Sequence, residues 1–98
     1  MAYQLIWSAE AETDFKNIIL YLKTSWSLQS AEKFILQTYK KLERLVAMPS
    51  IGRSTSHELI YMIKPDRKNA LFFSLDENFL ILLGIYPYKK DITKSKYY

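Results

Sequence analysis

The segment from Met48 to Arg53 constrains the fold most, because it separates a helical half of the chain from a half made of short strands. Proline lacks an N–H and clashes with the preceding helical turn, so Pro49 is expected to end the helix that reaches Met48. Gly52 is then expected to free the backbone for a sharp reversal. Arg53 follows at the start of the strand half, where its planar guanidinium suits a phosphate or a carboxylate.

Hydrophobic spacing before this segment predicts one strand and two helices. Tyr3 to Trp7 alternates like a half-buried strand. Ser8 is a good N-cap for a helix predicted from Ala9 to Ser25, and Ser27 can begin a second helix that reaches Met48. The two helices form a hairpin, and their apolar stripes predict core positions. The helical core residues are expected to be Phe15, Ile18, Leu22, Phe34, Leu42 and Leu45, while Trp7 and Trp26 are interpreted as anchors of the core and of the hairpin loop.

After the Pro49 turn, three short runs are rich in strand formers. They cover Glu58 to Lys64, Ala70 to Asp76 and Phe79 to Tyr86, and Asp76-Glu77-Asn78 makes a hairpin between the last two. The chain is therefore predicted to be α+β in the order β-α-α-β-β-β, with both helices on one face of an antiparallel sheet. The strands are expected to add Leu71, Phe73, Leu80 and Leu82 to the core.

Length and composition predict a single domain that covers residues 1–98. An apolar fraction of 49% is enough for a modest core, and only two glycines and three prolines leave no room for a linker. The absence of cysteine excludes disulfides, a thiolate metal site and a cysteine nucleophile. The longest apolar run, Phe79 to Ile85, is far below the ~20 residues that span a membrane. We therefore expect a cytoplasmic protein with no membrane association.

The net charge of +4 is concentrated in one part of the sequence. Between Gly84 and Tyr98, only Asp91 opposes the lysines, which are interleaved with tyrosines. Lysines neutralise phosphates and aromatic rings stack on unpaired bases, so this stretch suits a polyanion, although a solvated terminus explains it equally well. The lysines of this stretch are Lys89, Lys90, Lys94 and Lys96.

Several spaced motifs carry a resemblance to a known family. They are Ala11-x-x-Asp14-Phe15-x-x-Ile18-x-x-Tyr21, Ala31-x-x-Phe34, Leu45-x-x-x-Pro49-x-x-Gly52-Arg53, and the basic pair Lys89-Lys90 before Asp91. Together with the order of elements, they resemble the RelE/ParE toxins of type II toxin–antitoxin (plasmid stabilisation) modules. The resemblance implies a small toxin that a cognate antitoxin wraps and neutralises. It also implies no cofactor or metal.

The resemblance implies two activities and leaves a third interpretation open. The leading expectation is a ribosome-dependent, metal-independent messenger-RNA endonuclease (mRNA interferase). The alternatives are a ParE-like inhibitor of DNA gyrase, or a degenerate member that only binds its antitoxin. In each case the antitoxin is expected to cover the basic surface near Arg53, Arg67 and Lys89.

The chain departs from the nuclease pattern at three places. Ala70 stands where an arginine is expected, Pro87 lies near the usual histidine, and Lys89-Lys90 replaces the more usual arginine. Attack by a 2′-hydroxyl needs proton transfer and positive charge around the phosphate. Lys68 is available for charge, and His57, Glu58 and Tyr86 are available for proton transfer, but His57 and Glu58 are also typical solvated residues. The predicted catalytic set is Arg53, Arg67, Tyr88, Lys89 and Lys90.

Overall fold

The computed structural model describes residues 2–87 and confirms the predicted order of elements, with one additional short strand. The predicted bounds of the first helix are confirmed, and the second helix ends one residue earlier than expected. The elements are β1 (Gln4–Trp7), α1 (Ala9–Ser25), α2 (Leu28–Ala47), a 3-10 turn (Pro49–Ile51), β2 (Arg53–Ser54), β3 (Ile60–Ile63), β4 (Asn69–Asp76) and β5 (Phe79–Pro87).

The five strands form one mixed sheet in the order β1-β5-β4-β3-β2. β2 to β5 are antiparallel to their neighbours, but β1 runs parallel to β5, with Gln4 opposite Phe79 and Trp7 opposite Leu82. The expectation of a wholly antiparallel sheet is therefore wrong at β1. No tight turn joins β1 to β5, so neither turn chemistry nor local alternation in the sequence reports the direction of this pair.

The first turns of α1 are fastened to β5 by hydrogen bonds. The Ser8 hydroxyl oxygen caps α1 by accepting from the Ala11 N–H at 3.1 Å, and the hydroxyl donates to the Leu83 carbonyl at 3.2 Å. One turn later, the Asp14 carboxylate accepts from the Ile85 N–H at 3.0 Å. This N–H lies beyond the last residue of β5 that pairs with β1, so Asp14 supplies the partner that β1 no longer provides.

The main core lies between the helices and the sheet. From α2 it takes Leu42 and Leu45, but from α1 only Ala11 is fully buried. The predicted core positions Phe15 and Ile18 are half-buried against this core. The strand residues of this core are Ile63, Leu71, Phe73, Leu80, Leu82 and Ile85.

Gly52 is required by packing rather than by a backbone reversal. Its φ of −74° and ψ of 158° are extended values that any residue adopts, so the expected reversal is wrong. A Cβ atom at this position would lie 2.5 Å from Cζ of Phe73, a buried core ring. The absence of a side chain therefore lets the end of α2 and its 3-10 turn approach the sheet closely.

A second apolar cluster lies on the face of the sheet away from the helices. Met62, Ala70 and Phe72 are buried there, with Ile60, Leu83 and Tyr86 packed against them. Phe72 and Phe73 pair with Gly84 and Leu82, so Leu83 is left unpaired as a β-bulge. Within residues 2–87, neither helix combines the length and the apolar character that crossing a bilayer requires.

Candidate functional site

A groove between α2 and the β3–β4 turn gathers half of the basic side chains of residues 2–87. Its volume is about 660 Å³, and five basic residues line it. Two of them lie about two turns apart on α2, and three come from the turn that follows β3. They are Lys33, Lys41, Lys64, Arg67 and Lys68.

The turn that carries three of these bases is held by Asp66. Its carboxylate accepts from the N–H groups of Lys68 and Asn69, both at 2.9 Å, and from the Asn69 side-chain amide at 3.1 Å. Asn69 is buried, whereas Arg67 and Lys68 are exposed. The single carboxylate in the groove is thus engaged in shaping the turn, and the guanidinium and ammonium groups are presented to solvent.

Trp26 closes one end of the groove. It lies in the loop between the helices as predicted, but 61% of its surface is exposed, so it does not act as a buried anchor. The Lys68 ammonium lies 4.6 Å from the centre of its ring, which is a cation–π contact. This contact orients the indole and holds one of the five basic side chains over its face.

Behind Trp26 lies an apolar slot between the C-terminal half of α1 and the start of β4. Its volume is about 450 Å³. The slot and the basic groove share Leu22, Trp26, Asp66 and Lys68, so they are contiguous. The remaining slot residues are Asn17, Ile18, Tyr21, Asn69 and Pro87.

The predicted site residues do not all meet in this groove. Arg67 lines it, but Arg53 lies on the edge strand β2 opposite Met62. Paired residues on neighbouring strands project to the same side, so Arg53 points to the face away from the helices. The other three predicted residues, Tyr88, Lys89 and Lys90, lie outside the described residues.

The candidates for proton transfer lie away from the groove. His57 is exposed in the β2–β3 loop, where its N–H donates to the Thr55 hydroxyl at 3.1 Å, and Glu58 beside it is also exposed. Tyr86 is opposite Ala70 on the face away from the helices. Among residues 2–87, no three His, Cys, Asp or Glu side chains converge in the way that a metal ion requires.

Sequence patterns alone do not show that Lys33, Lys41 and Lys64 line the same groove as Arg67. Lys33 and Lys41 are eight residues apart on α2, and this spacing places them on one side of the helix. That periodicity was the only available signal, because the approach of the β3–β4 turn to α2 is a tertiary contact.

A sequence model described as the ParE toxin of the type II toxin–antitoxin system parDE matches residues 5–91. The chain belongs to this family. It is therefore the toxin of a type II module, and the family implies a cognate antitoxin as its partner. A comparison with curated proteins finds no match.

Solved structures share the fold of this ParE-family toxin at low sequence identity. A chain from the chromosomal ParDE system of P. aeruginosa is 17% identical, with a TM-score of 0.74 over 88% of this chain and 96% of that one. The YoeB dimer from Staphylococcus aureus is 14% identical, with a TM-score of 0.62 over 86% and 94% of the two chains. A YoeB/ParE toxin from Agrobacterium tumefaciens is 8% identical, with a TM-score of 0.62 over 86% and 96%.

Proposed function

We propose that this toxin arrests growth by binding DNA gyrase through the basic groove and performs no chemistry of its own. The observation that carries the proposal is the convergence of five basic side chains on one groove whose only carboxylate is already engaged. Such a surface complements an acidic protein surface and accelerates its capture. Membership of the ParE family supports the same target, since the ParE branch is the one whose resemblance implies gyrase inhibition.

The chemistry of the groove favours contact over cleavage. Strand scission by a 2′-hydroxyl needs a group that removes its proton and another that protonates the leaving oxygen. Among the described residues that line the groove, the titratable side chains are the five bases and Asp66, which holds the turn. Its five basic side chains can therefore neutralise negative charge. The described lining offers no carboxylate or imidazole that is available to accept a proton.

The test compares two double variants, of which only the first removes positive charge from the groove. The Lys41→Ala, Arg67→Ala variant loses two groove bases, whereas the Lys40→Ala, Arg67→Lys variant keeps the charge of the groove, because Lys40 is exposed on α2 outside it. Charged contacts contribute ~1.5–3 kcal/mol each, so the first variant should inhibit supercoiling by gyrase at least about tenfold more weakly. Equal inhibition by both variants would refute the role of the groove.

Ribosome-dependent cleavage of messenger RNA is a second candidate, favoured by a different surface. Arg53 and Tyr86 both project to the face away from the helices, on strands β2 and β5, which β3 and β4 separate. The predicted residues Tyr88, Lys89 and Lys90 follow β5 in the sequence. If this candidate is right, Lys89→Ala with Lys90→Ala should abolish toxicity, and Tyr88→Phe should reduce cleavage with little loss of binding.

Mapping of transcript ends after induction, beside a supercoiling assay, separates the two candidates. Intact transcripts with blocked supercoiling would eliminate the nuclease. Cleaved transcripts with normal supercoiling would eliminate the gyrase inhibitor. If neither activity is found, the third interpretation, a degenerate toxin that only binds its antitoxin, is favoured.

The antitoxin is proposed to neutralise the toxin by covering its basic surface. Arg67 lies in the β3–β4 turn and Arg53 on β2, the edge strand next to β3. An acidic or amphipathic segment that covers both must therefore pass around this edge of the sheet. Binding should weaken as salt rises, and a complex whose affinity is independent of salt would contradict this arrangement.

A further inference from the structure

The apolar slot and the basic groove meet at Trp26, and each suits a different part of one ligand. The slot offers the flat surfaces of Trp26 and Tyr21, which are 61% and 48% exposed, and the aliphatic walls of Ile18, Leu22 and Pro87. Exposed rings beside aliphatic walls hold a planar aromatic group by stacking and burial. The volume of about 450 Å³ lies in the range of small-molecule sites.

The slot also carries polar groups that can recognise the edge of a heterocycle. The Asn17 side-chain amide lines the slot, and it makes no hydrogen bond with any other residue that the structure describes. An amide both donates and accepts, as the edges of nucleobases do. A purely hydrophobic occupant of the slot would leave the Asn17 amide without a hydrogen-bond partner.

The groove next to the slot has the charge that phosphates require. Arg67 carries a planar guanidinium that can bind a phosphate through two hydrogen bonds, and Lys33 and Lys41 face it from α2. Lys68 lies at the junction, with its ammonium held over the Trp26 ring. Positive charge therefore begins at the mouth of the slot and continues along the groove.

We infer that Trp26 marks a binding site for a nucleoside polyphosphate, with the base in the slot and the phosphates in the basic groove. Charge complementarity selects this occupant, because the slot alone suits any flat apolar group whereas the adjoining cationic groove requires an anionic extension. The inference goes beyond the proposed function but uses its groove. A bound nucleotide would therefore prevent gyrase from contacting the same basic side chains. Occupancy would then make toxicity depend on nucleotide concentration.

The experiment measures the binding of ATP to the purified toxin by calorimetry and by tryptophan fluorescence. Adenosine, which lacks phosphates, and inorganic tripolyphosphate, which lacks a base, are the matched ligands, and each should bind at least about tenfold more weakly than ATP. ATP should quench the fluorescence of Trp26. Trp26→Ala should remove this signal, leave Trp7 as the only tryptophan, and weaken the calorimetric affinity for ATP by about tenfold, because the stacking surface is lost.

Variants locate the site and separate it from general attraction of anions. Lys41→Ala should weaken ATP at least about tenfold, whereas Lys40→Ala, which removes the same charge outside the groove, should leave its affinity within about twofold. Asn17→Ala should weaken ATP more than it weakens tripolyphosphate. Circular dichroism and thermal unfolding of each variant establish that it is folded.

Four results would overturn the inference. The first two are no ATP binding at low salt, and equal binding of ATP and tripolyphosphate. The third is a single-stranded DNA or RNA oligonucleotide that binds far more tightly than ATP. The fourth is a loss of antitoxin binding in Lys41→Ala while its ATP binding is unchanged. The third result would identify a nucleic-acid strand and the fourth a protein as the occupant. Gyrase inhibition without ATP binding would refute this inference alone, and ATP binding without gyrase inhibition would refute only the proposed function.

Discussion

Helices α1 and α2 are both amphipathic in sequence, but they contribute very differently to the structure. α2 has five buried residues, whereas α1 has one. α1 approaches the sheet closely at its first turns, where Ala11 is small and Asp14 is bonded to β5. Its later turns border the apolar slot, and its residues between Glu12 and Ile19 border a second open cleft of about 460 Å³ beside Trp7 and Tyr39. Apolar side chains on α2 thus build the core, while similar side chains on α1 line accessible clefts.

The largest expected effect tests this contrast directly. Leu45→Ala on α2 removes a side chain with no exposed surface, and should lower the free energy of unfolding by ~2–5 kcal/mol. Leu22→Ala on α1 makes the same chemical change at a half-buried position and should cost less than half as much. Urea denaturation of both variants measures the difference. Equal costs would show that the later turns of α1 belong to the core after all.

A smaller effect is expected where the end of α2 meets the sheet. Gly52→Ala places a methyl group against the Phe73 ring and should cost about 1–3 kcal/mol by overpacking. Phe73→Leu shortens the opposing side chain, so adding it to Gly52→Ala should cost less than the sum of the two single changes. Strict additivity in this double-mutant cycle would refute the steric explanation for the glycine.

The smallest effect concerns the attachment of α1. Asp14→Ala leaves the Ile85 N–H without its acceptor and should cost about 1–2 kcal/mol. Asp14→Asn keeps an oxygen acceptor and should recover part of that loss. Hydrogen exchange at Ile85 checks the mechanism, since exchange should accelerate in the alanine variant, and unchanged protection there would contradict it.

The fold was predictable wherever local chemistry determines it. The Ser8 and Ser27 caps, the Pro49 stop and the strand formers of the last two runs correspond to observed elements. β2 was not predictable because two residues are too few to show any periodicity. The parallel pairing of β1 was not predictable because its partner β5 is more than 70 residues away in the sequence.

The candidate site was less predictable than the fold. Arg67 was recognisable because it lies in a turn of evident composition. Its partners Lys33 and Lys41 resemble ordinary solvated lysines on a helix, and only the approach of the β3–β4 turn makes them part of a groove. The exposure of Trp26 was equally difficult to predict from the sequence, since a tryptophan in a helical hairpin is more often buried than exposed.

The parallel pairing of β1 with β5 has a consequence for synthesis of the toxin. Among the strands of residues 2–87, β1 is an edge strand that pairs with β5 alone, and Ser8 and Asp14 also bond to β5. A nascent chain in which β5 has not yet been translated therefore has no strand partner for β1 and lacks the hydrogen bonds that fasten α1 to the sheet. Premature termination before β5 would yield an unfolded polypeptide rather than a weakened toxin, so the domain becomes competent to bind antitoxin or target in one late step of translation.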